Sequence, residues 1–580
     1  MVAVLGASLI GAVGLAVDIG LYYADTRALR LATEAAALSA ANNLADTSRV
    51  QTYLAANGYP QAQVSTQTGL YCPDRDLASD QRFRPSTTAC PGRPNSARIN
   101  AIRVTASAPG RQVLSQVLGP LNPFPDVVAT ATAARVDEAG VGMTSDTLDL
   151  GFLNDLLRAE QLLDTLLAGL LGVDPGFSVN SVRALQQGSV DAGLFFDNLA
   201  RLEGKGGATY GELTDAEVSA SNLMLAAAAS TDNAATAAVL TTAANVAGLG
   251  TRKVSLRNVF ALGVWKNMPV GEANAAPALR AGLNAYQLFL YSLMRRNGFN
   301  IDLSPVAGAV VTGGVVKLEG LASDPLTGAS FAFGPAGEAT VYSSRLRLKL
   351  SVGAGDLNLL IARIRAITVP LLIDIGPSHA TVTGISCPST DDQFANAQVS
   401  VAATSGFVHL YIGSDNGAMS QPFGAVDIKD ARIASVELLG LGLISLEGKA
   451  KIDSVQSVSQ TLVFGVNGRS GAGAIGNPVA SQHRPLVAPR PLAVNHVSSV
   501  DQALDSLLAA LQSDLQVKVL GLSLTSILEP LIGRIRPPVT GLVGAVVDPL
   551  LDGVLRLTGI QLGQTAVLVT GVRCGVPVLV

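Results

Sequence analysis

The chain opens on a long apolar stretch, Val2–Ala24, which reads VAVLGASLIGAVGLAVDIGLYYA and contains one charged residue, Asp18. A helix rises about 1.5 Å per residue, so this stretch would span roughly 34 Å, enough for the ~30 Å hydrocarbon core of a bilayer. The stretch therefore predicts a transmembrane helix. A cleaved secretory signal is the alternative, but the first basic residue is Arg27 and no convincing small-residue cleavage site follows the apolar run.

Asp18 shares one side of this helix with very small side chains. Steps of four, three and four residues from Ala7 lead to Gly11, Gly14 and Asp18, which lie within about 60° of one another on a helical wheel. Because small residues let membrane helices approach closely, this seam is predicted to contact a partner helix. The alternative is that glycine and alanine are simply common in membrane helices and that Asp18 reaches the outer interface.

The helix is expected to continue past the apolar stretch, because Asp25–Ala45 has high helix propensity and lacks glycine and proline. Across this junction, Gly14–Ala41 reads GLAVDIGLYYADTRALRLATEAAALSAA and resembles the N-terminal region of TadG-like proteins of the Tad/Flp pilus system. Two later segments, Asn100–Pro120 and Val127–Val136, resemble the strand, short helix and strand that complete the first extracytoplasmic module of that family.

The resemblance implies a single-pass protein of the cell membrane, with most of the chain periplasmic or extracellular. It also implies that the N-terminal helix contacts the lipid bilayer and other pilus or envelope proteins. Segments such as ALQQGSVDAGLFFDNLA, residues 184–200, are similar, more weakly, to the extracytoplasmic region of TadG-related membrane proteins.

The composition favours an exported or assembled protein. Charged residues make up 14% of the chain, whereas about 25% is usual in soluble domains. The net charge is −4 and aromatic residues account for 4%, so the basic patches and stacking platforms of a nucleic-acid-binding protein are not expected.

The pattern along the chain predicts an α+β fold with a β-rich C-terminal region. Between residues 301 and 475, runs such as RLRLKLSV and HATVTGIS cluster β-branched residues and end at turn residues. The predicted segments are a transmembrane anchor and extended helix at 1–45, a small α/β module at 46–140, a Leu/Ala-rich helical region with weak repeats at 141–300, a β-rich domain at 301–475, a Pro-rich linker at 476–499, and a helix plus terminal strand packing on the β-rich domain at 500–580.

A weak internal repeat occupies part of the helical region. Four apolar positions recur with an offset of 28 residues: Leu185, Val190, Phe195 and Ala200 are followed by Leu213, Val218, Leu223 and Ala228. A shorter echo begins at Val254. Each unit is predicted to be a short extended piece that enters an amphipathic helix and stacks on its neighbour. The alternative is a coincidence in a Leu/Ala-biased region.

Four cysteines are predicted to form two disulfides. Cys387 and Cys574 end the similar strands VTGISC and VTGVRC, and pairing of these strands would bring the two thiols together. Cys72 and Cys90 would close a local polar loop. An even number of cysteines in an exported protein favours disulfides. Metal binding is the alternative, but the chain has no CxxC pair and its histidines are dispersed.

Motifs for enzymatic chemistry are missing from the sequence. It contains no GxxxxGK[ST] loop, GxSxG elbow or HExxH pair, so no catalytic residue, metal site or cofactor is predicted. The leading hypothesis is a non-enzymatic Tad/Flp-type protein that acts in pilus assembly, scaffolding or adhesion. The alternative is a surface-layer or fibre subunit that forms homo-oligomers and uses the N-terminal helix as a tether.

Overall fold

The structure of the chain is a computed structural model. It describes residues 2–44, 46–72, 77–78, 81–85, 99–111, 125–144, 159–172, 174–246, 248–257, 259–270, 281–293, 298–307, 315–322, 329–343, 345–354, 357–359, 362–365, 367–387, 397–420, 426–438, 442–455, 457–465, 473–476, 489–495, 506–507, 509–511, 513–519, 522–523 and 564–580.

The chain divides into two compact units. The first comprises Met1–Glu138, Pro335–Glu338 and Arg573–Val580, and the second comprises Ala139–Gly334 and Ala339–Val572. Of the described residues, 32% are helical and 42% lie in strands. The chain therefore mixes helices with many strands.

The first unit packs helices on an antiparallel sheet. Its helices are α1 (Val2–Asn42) and α2 (Ser48–Ala56), and its strands are β1 (Gln63–Tyr71), β2 (Phe83–Pro85), β3 (Ala101–Ala108) and the N-terminal part of β4 (Val127–Thr144). The strand order is β2-β1-β3-β4. The strands predicted from residues 100–108 and 127–136 are confirmed as β3 and β4, while the helix predicted between them lies mostly outside the described residues.

Buried and exposed side chains alternate along β3 and β4, so the sheet has one apolar face on which α1 packs. In β3, Ile102, Val104 and Ala106 are fully buried, whereas the intervening side chains are partly exposed. The buried side chains form one core with the second half of α1 and with α2. Alanines dominate the contact, and their small side chains let the helix backbone lie close to the sheet.

The predicted transmembrane helix over Val2–Ala24 is wrong. Among the residues that the structure describes, no helix combines the length and the apolar character that crossing a membrane requires. In α1 the stretch continues without a break into a charged segment, in which Asp25 is buried and Arg30 pairs with Glu34. The second half of α1 is held by its packing on the sheet.

The N-terminal part of the second unit is mainly helical. Its helices within the described ranges are α3 (Ala159–Leu171), α4 (Val179–Gln187), α5 (Ala192–Leu202), α6 (Tyr210–Thr214), α7 (Ala220–Ala228), α8 (Ala234–Ala244), α9 (Ala285–Leu293) and α10 (Ser304–Ala307), with a 3₁₀ turn at Gly263–Asn267. Polar caps fix several starts: Ser178 and Ser181 form a capping box on α4, and Thr209 and Glu212 form another on α6.

The first two units of the 28-residue repeat have the predicted order of a short extended piece followed by a helix. Strand β5 (Ser189–Asp191) leads directly into α5, and β6 (Glu217–Ser219) leads directly into α7. The repeated apolar positions are buried, except that Ala228 is half-buried. The two units therefore bury apolar side chains at equivalent positions.

The third unit of the repeat differs from the prediction. The segment at Val254 forms the short strand β7 (Lys253–Ser255), which pairs with β6 but does not enter a helix. The strand that leads into a helix is instead β9 (Gly282–Asn284), which pairs with β5 and continues into α9. Asn284 caps that helix by accepting a hydrogen bond from the backbone N–H of Gln287 at 3.1 Å.

Strands dominate the rest of the described chain. Their bounds are β8 (Phe260–Ala261), β10 (Phe299–Asp302), β11 (Val315–Ala322), β12 (Phe331–Pro335), β13 (Thr340–Tyr342), β14 (Leu346–Ala354), β15 (Leu357–Leu359), β16 (Ala362–Arg365), β17 (Ile367–Ile375), β18 (His379–Ser386), β19 (Gln398–Thr404), β20 (Val408–Ile412), β21 (Ala431–Leu438), β22 (Gly442–Gly448), β23 (Ala450–Val455), β24 (Ser459–Gly465), β25 (Gly473–Ala474), β26 (Leu492–Asn495), β27 (Gln516–Val519), β28 (Leu522–Ser523) and β29 (Gln564–Leu579).

These strands form three larger sheets, with orders β10-β11-β14-β17-β20-β23, β13-β18-β19-β24-β25 and β15-β16-β21-β22-β27-β28. In addition, β8 pairs with β12, and β26 pairs with β29. Strand β26 lies inside the segment predicted as a Pro-rich linker, 476–499, much of which lies outside the described residues. Part of that segment is therefore a strand.

Candidate partner-binding surface on the N-terminal helix

Helix α1 is 41 residues long, and its side chains are described from Val13 onward. One narrow side of it is buried in the first unit. Gly14, Asp18, Asp25 and Leu29 follow one another on this side at steps of four, seven and four residues, and the buried alanines of the second half continue the same side. These steps keep the residues on one helix face. That buried side fixes the rotation of α1 about its axis.

The remaining circumference of the same helical segment is apolar and exposed. We call the side chains of Val13, Leu15, Val17, Ile19 and Tyr23 the α1 apolar face. Their exposed fractions are 57%, 49%, 46%, 52% and 74%, respectively. Monomeric proteins seldom leave several neighbouring large apolar side chains in contact with solvent, and such patches mark interaction sites.

The predicted seam and the α1 apolar face lie on different sides of the helix. Gly14 is buried and Asp18 is only 1% exposed. The backbone of Ala7 and Gly11 belongs to α1, but their side chains lie outside the described residues. The role of the seam as a partner contact therefore stays a prediction, and the sequence did not point to the apolar face.

An ion pair holds α1 near the middle of the buried side. Asp25, which is 3% exposed, accepts hydrogen bonds from the backbone N–H and from Nε of Arg111, both at 2.7 Å. Tyr59 donates its hydroxyl to the backbone oxygen of Asp25 at 3.3 Å. Arg111 follows β3, so the pair connects the helix to the end of a strand.

The protonation of these groups reflects the pair. Burial acts to raise the pKa of Asp25, but the hydrogen bonds and the charge of Arg111 outweigh it, and the pKa lies below its ordinary value. The hydrogen bond to Asp25 raises the pKa of Arg111. Burial, with the charge of Asp25 as a second cause, raises the pKa of Tyr59. Asp25 is therefore an anion at neutral pH.

The disulfide predicted between Cys387 and Cys574 is present. Cys72 is also disulfide-bonded, and Cys90, its predicted partner, lies outside the described residues. Oxidised cysteines of this kind are typical of proteins that fold outside the reducing cytosol.

Asp374, a buried residue of β17, lies between two arginines. Arg345 donates to its carboxylate from Nε at 3.2 Å and from Nη2 at 2.8 Å. Arg347, which is 1% exposed, donates from Nη2 at 3.1 Å. These contacts give the carboxylate a structural role on the sheet.

Comparison with known families identifies two segments of the chain. Residues 30–133 match a family described as putative Tad-like Flp pilus-assembly. Residues 159–288, which contain α3 to α8, most of the repeat and the first turn of α9, match a domain of unknown function, DUF8293. No curated protein and no solved structure matches the chain. The first match supports a role related to pilus assembly and interaction with other pilus or envelope proteins.

Proposed function

From the premise that the N-terminal region of this chain is a Tad-like pilus-assembly segment, we propose that the protein is a non-enzymatic assembly factor that binds another pilus or envelope protein through the α1 apolar face. The single observation that carries the proposal is the exposure of five large apolar side chains on the helix that enters this segment.

The lack of charge supports a protein partner that presents an apolar surface. The α1 apolar face contains no charged side chain, so it offers nothing to a strongly charged ligand. Most of the binding free energy would come from removing apolar surface from water, at about 25 cal/mol per Å². Tyr23, which is the most exposed of the five at 74%, has the aromatic side chain typical of interface hot spots.

The bulk of the chain is proposed to act outside the cytoplasm. The Cys387–Cys574 disulfide and the low proportion of charged residues support this placement. Digestion of intact spheroplasts with an added protease tests it. Degradation of the second unit is expected, and full protection would contradict the proposal.

Photo-crosslinking tests the binding surface. A photoreactive amino acid is introduced at Val17 of the full chain in cells that assemble the pilus. The matched control carries it at Val128, another exposed valine (58%), which lies on β4. We expect a crosslink from position 17 to another pilus or envelope protein and much less from position 128.

The products of the crosslinking distinguish the alternatives. A crosslink between two copies of this chain would favour the self-assembling fibre over the assembly factor. Equal yields at the two positions, or none at position 17, would overturn the proposed surface. A Val17→Ser, Ile19→Ser double variant should lower piliation, whereas Val128→Ser should leave it unchanged.

A further inference from the structure

Four Asn-Gly dipeptides occur in the chain, at Asn57, Asn297, Asn416 and Asn467. In such a pair the glycine has no side chain to shield its backbone nitrogen, so that nitrogen can reach the side-chain carbonyl carbon of the asparagine. Whether it does so depends on what holds the two groups. The structure describes both partners of two of these pairs, at Asn57 and at Asn416.

Both reacting groups of the first pair are engaged. Asn57 follows α2, and its Nδ2 donates to the backbone oxygen of Tyr53 at 2.8 Å. The backbone N–H of Gly58 donates to the backbone oxygen of Ala55 at 3.1 Å. The attacking nitrogen and the leaving amide of this pair are therefore both held by the end of the helix.

The second pair lies in an exposed turn, and among the described residues the hydrogen bonds of this turn are made by other donor groups. Ala418 N–H donates to Asp415 at 2.8 Å, and Ser420 N–H donates to the oxygen of Gly417 at 3.0 Å. Asn416 and Gly417 are both exposed. Asn416 has φ +44°, the left-handed region, and is the single non-glycine residue of the described ranges with a positive φ.

We propose that Asn416 is a spontaneous modification site that converts to aspartate and isoaspartate. The backbone nitrogen of Gly417 attacks Cγ of Asn416, a new N–Cγ bond forms, and the Cγ–Nδ2 bond breaks. Nδ2 leaves as ammonia, taking the proton lost by the backbone nitrogen. Water then opens the cyclic imide at either carbonyl. The sequence consumes only water, requires no oxidant or enzyme, and replaces a neutral amide with a carboxylate.

The modification would change a loop that covers a sheet. The neighbouring Asp415 pairs with Lys349 on β14 at 3.3 Å, and a new carboxylate at position 416 would compete for that cation. An isoaspartate would also lengthen the backbone by one atom inside a segment that Ser414 and Lys429 close by two backbone hydrogen bonds of 2.8 and 3.0 Å. Ala418, whose oxygen accepts from the buried Arg347 at 2.9 Å, lies two residues further on.

Peptide mapping by mass spectrometry tests the proposal on the full-length folded chain, with Asn57 as the internal control. After incubation at 37 °C and mildly alkaline pH, the peptide with Asn416 should gain 1 Da at least roughly tenfold faster than the peptide with Asn57. Isoaspartyl methyltransferase labelling should locate the product at position 416. In urea the two rates should converge, because unfolding frees Asn57.

An intact Asn416, or conversion of Asn57 at an equal or higher rate in the folded chain, would overturn the proposal. An Asn416→Asp variant reproduces one product. Hydrogen exchange of residues 413–420 should be faster in this variant than in the unmodified chain, and unchanged exchange would refute the effect on the loop.

Discussion

At the scale of single residues, the Asp25–Arg111 pair decides how α1 is held. Its partners are 86 residues apart in the sequence, and no local pattern connects them. Asp25 opens the helical segment that follows the apolar stretch, and Arg111 lies three residues after the end of β3. The pair could not be predicted from the sequence because it depends on where the sheet places the end of one strand against one turn of the helix.

We predict that Asp25→Asn loosens the helix. The variant loses the carboxylate that two hydrogen bonds from Arg111 stabilise, and the expected cost is about 1–3 kcal/mol. This loss should appear as faster hydrogen exchange of peptides that cover residues 22–42. Because the pKa of Asp25 is lowered in the folded state, the stabilisation is present above about pH 4 and is lost as the pH falls through the lowered value.

The control for this prediction is Glu34→Gln. Glu34 pairs with Arg30 on the same helix at 2.9 Å, but the side chain of Arg30 is 73% exposed, and such a surface pair contributes only about 0.3–0.5 kcal/mol. The prediction fails if the two variants exchange alike, or if Asp25→Asn retains the acid sensitivity of the unmodified chain.

At the scale of elements, the repeat could be predicted because its signal is local. A buried residue in a three-residue strand, followed by a helix with fixed apolar positions, leaves the same spacing in each copy. The unit formed by β9 and α9 was missed for two reasons. Its strand reads Gly-Leu-Asn, and another short strand, β7, lies between it and the second unit in the sequence. Only the pairing of β9 with β5 reveals it.

The repeat makes a prediction at equivalent positions of its helices. Leu223 in α7 corresponds to Phe195 in α5, and both are fully buried. Leu223→Ala should cost about 2–5 kcal/mol of stability, measured by urea denaturation. Leu225→Ala on the same helix is the matched control, because Leu225 is only half-buried, and its cost should be well below that of Leu223→Ala. Equal costs would show that α7 does not pack as the repeat requires.

The buried side of α1 could not be identified from hydrophobic periodicity. The first half of the helix is apolar almost all the way round, so the sequence could not indicate which side chains face the sheet. The alanines of the second half pack within the chain, and the sequence pattern alone did not separate such packing from a contact with another chain. The expectation of a membrane span had the same origin, because length and hydropathy carry no information about tertiary packing.

At the scale of the whole molecule, the disulfide between Cys387 and Cys574 was predicted from two similar strands, although its partners are 187 residues apart. Closing a loop of that length carries a nominal stabilisation of about 5 kcal/mol. Cys387→Ser should therefore lower the midpoint of thermal unfolding. Alkylation of the unreduced, denatured chain checks the premise, and labelling of either cysteine would contradict it.

The division of the chain into regions could be predicted only in part from the sequence. A helical region followed by a β-rich region follows from residue patterns, which reflect local burial. Strand β26 was read as a linker because it lies among prolines, and its place is fixed by pairing with β29. Contacts between residues far apart in the sequence decide such features.

Helix α1 is continuous from Val2 to Asn42. The direction in which its exposed side chains point therefore depends on the rotation of the whole helix about its axis. Asp25 and the alanines set the angle of the second half, and the first half must follow it. One alanine inserted after Ala24 would turn Val17 and Ile19 by about 100° about the axis, whereas four would turn them by only about 40°. A partner that binds the α1 apolar face should therefore bind the variant with four inserted alanines better than the variant with one.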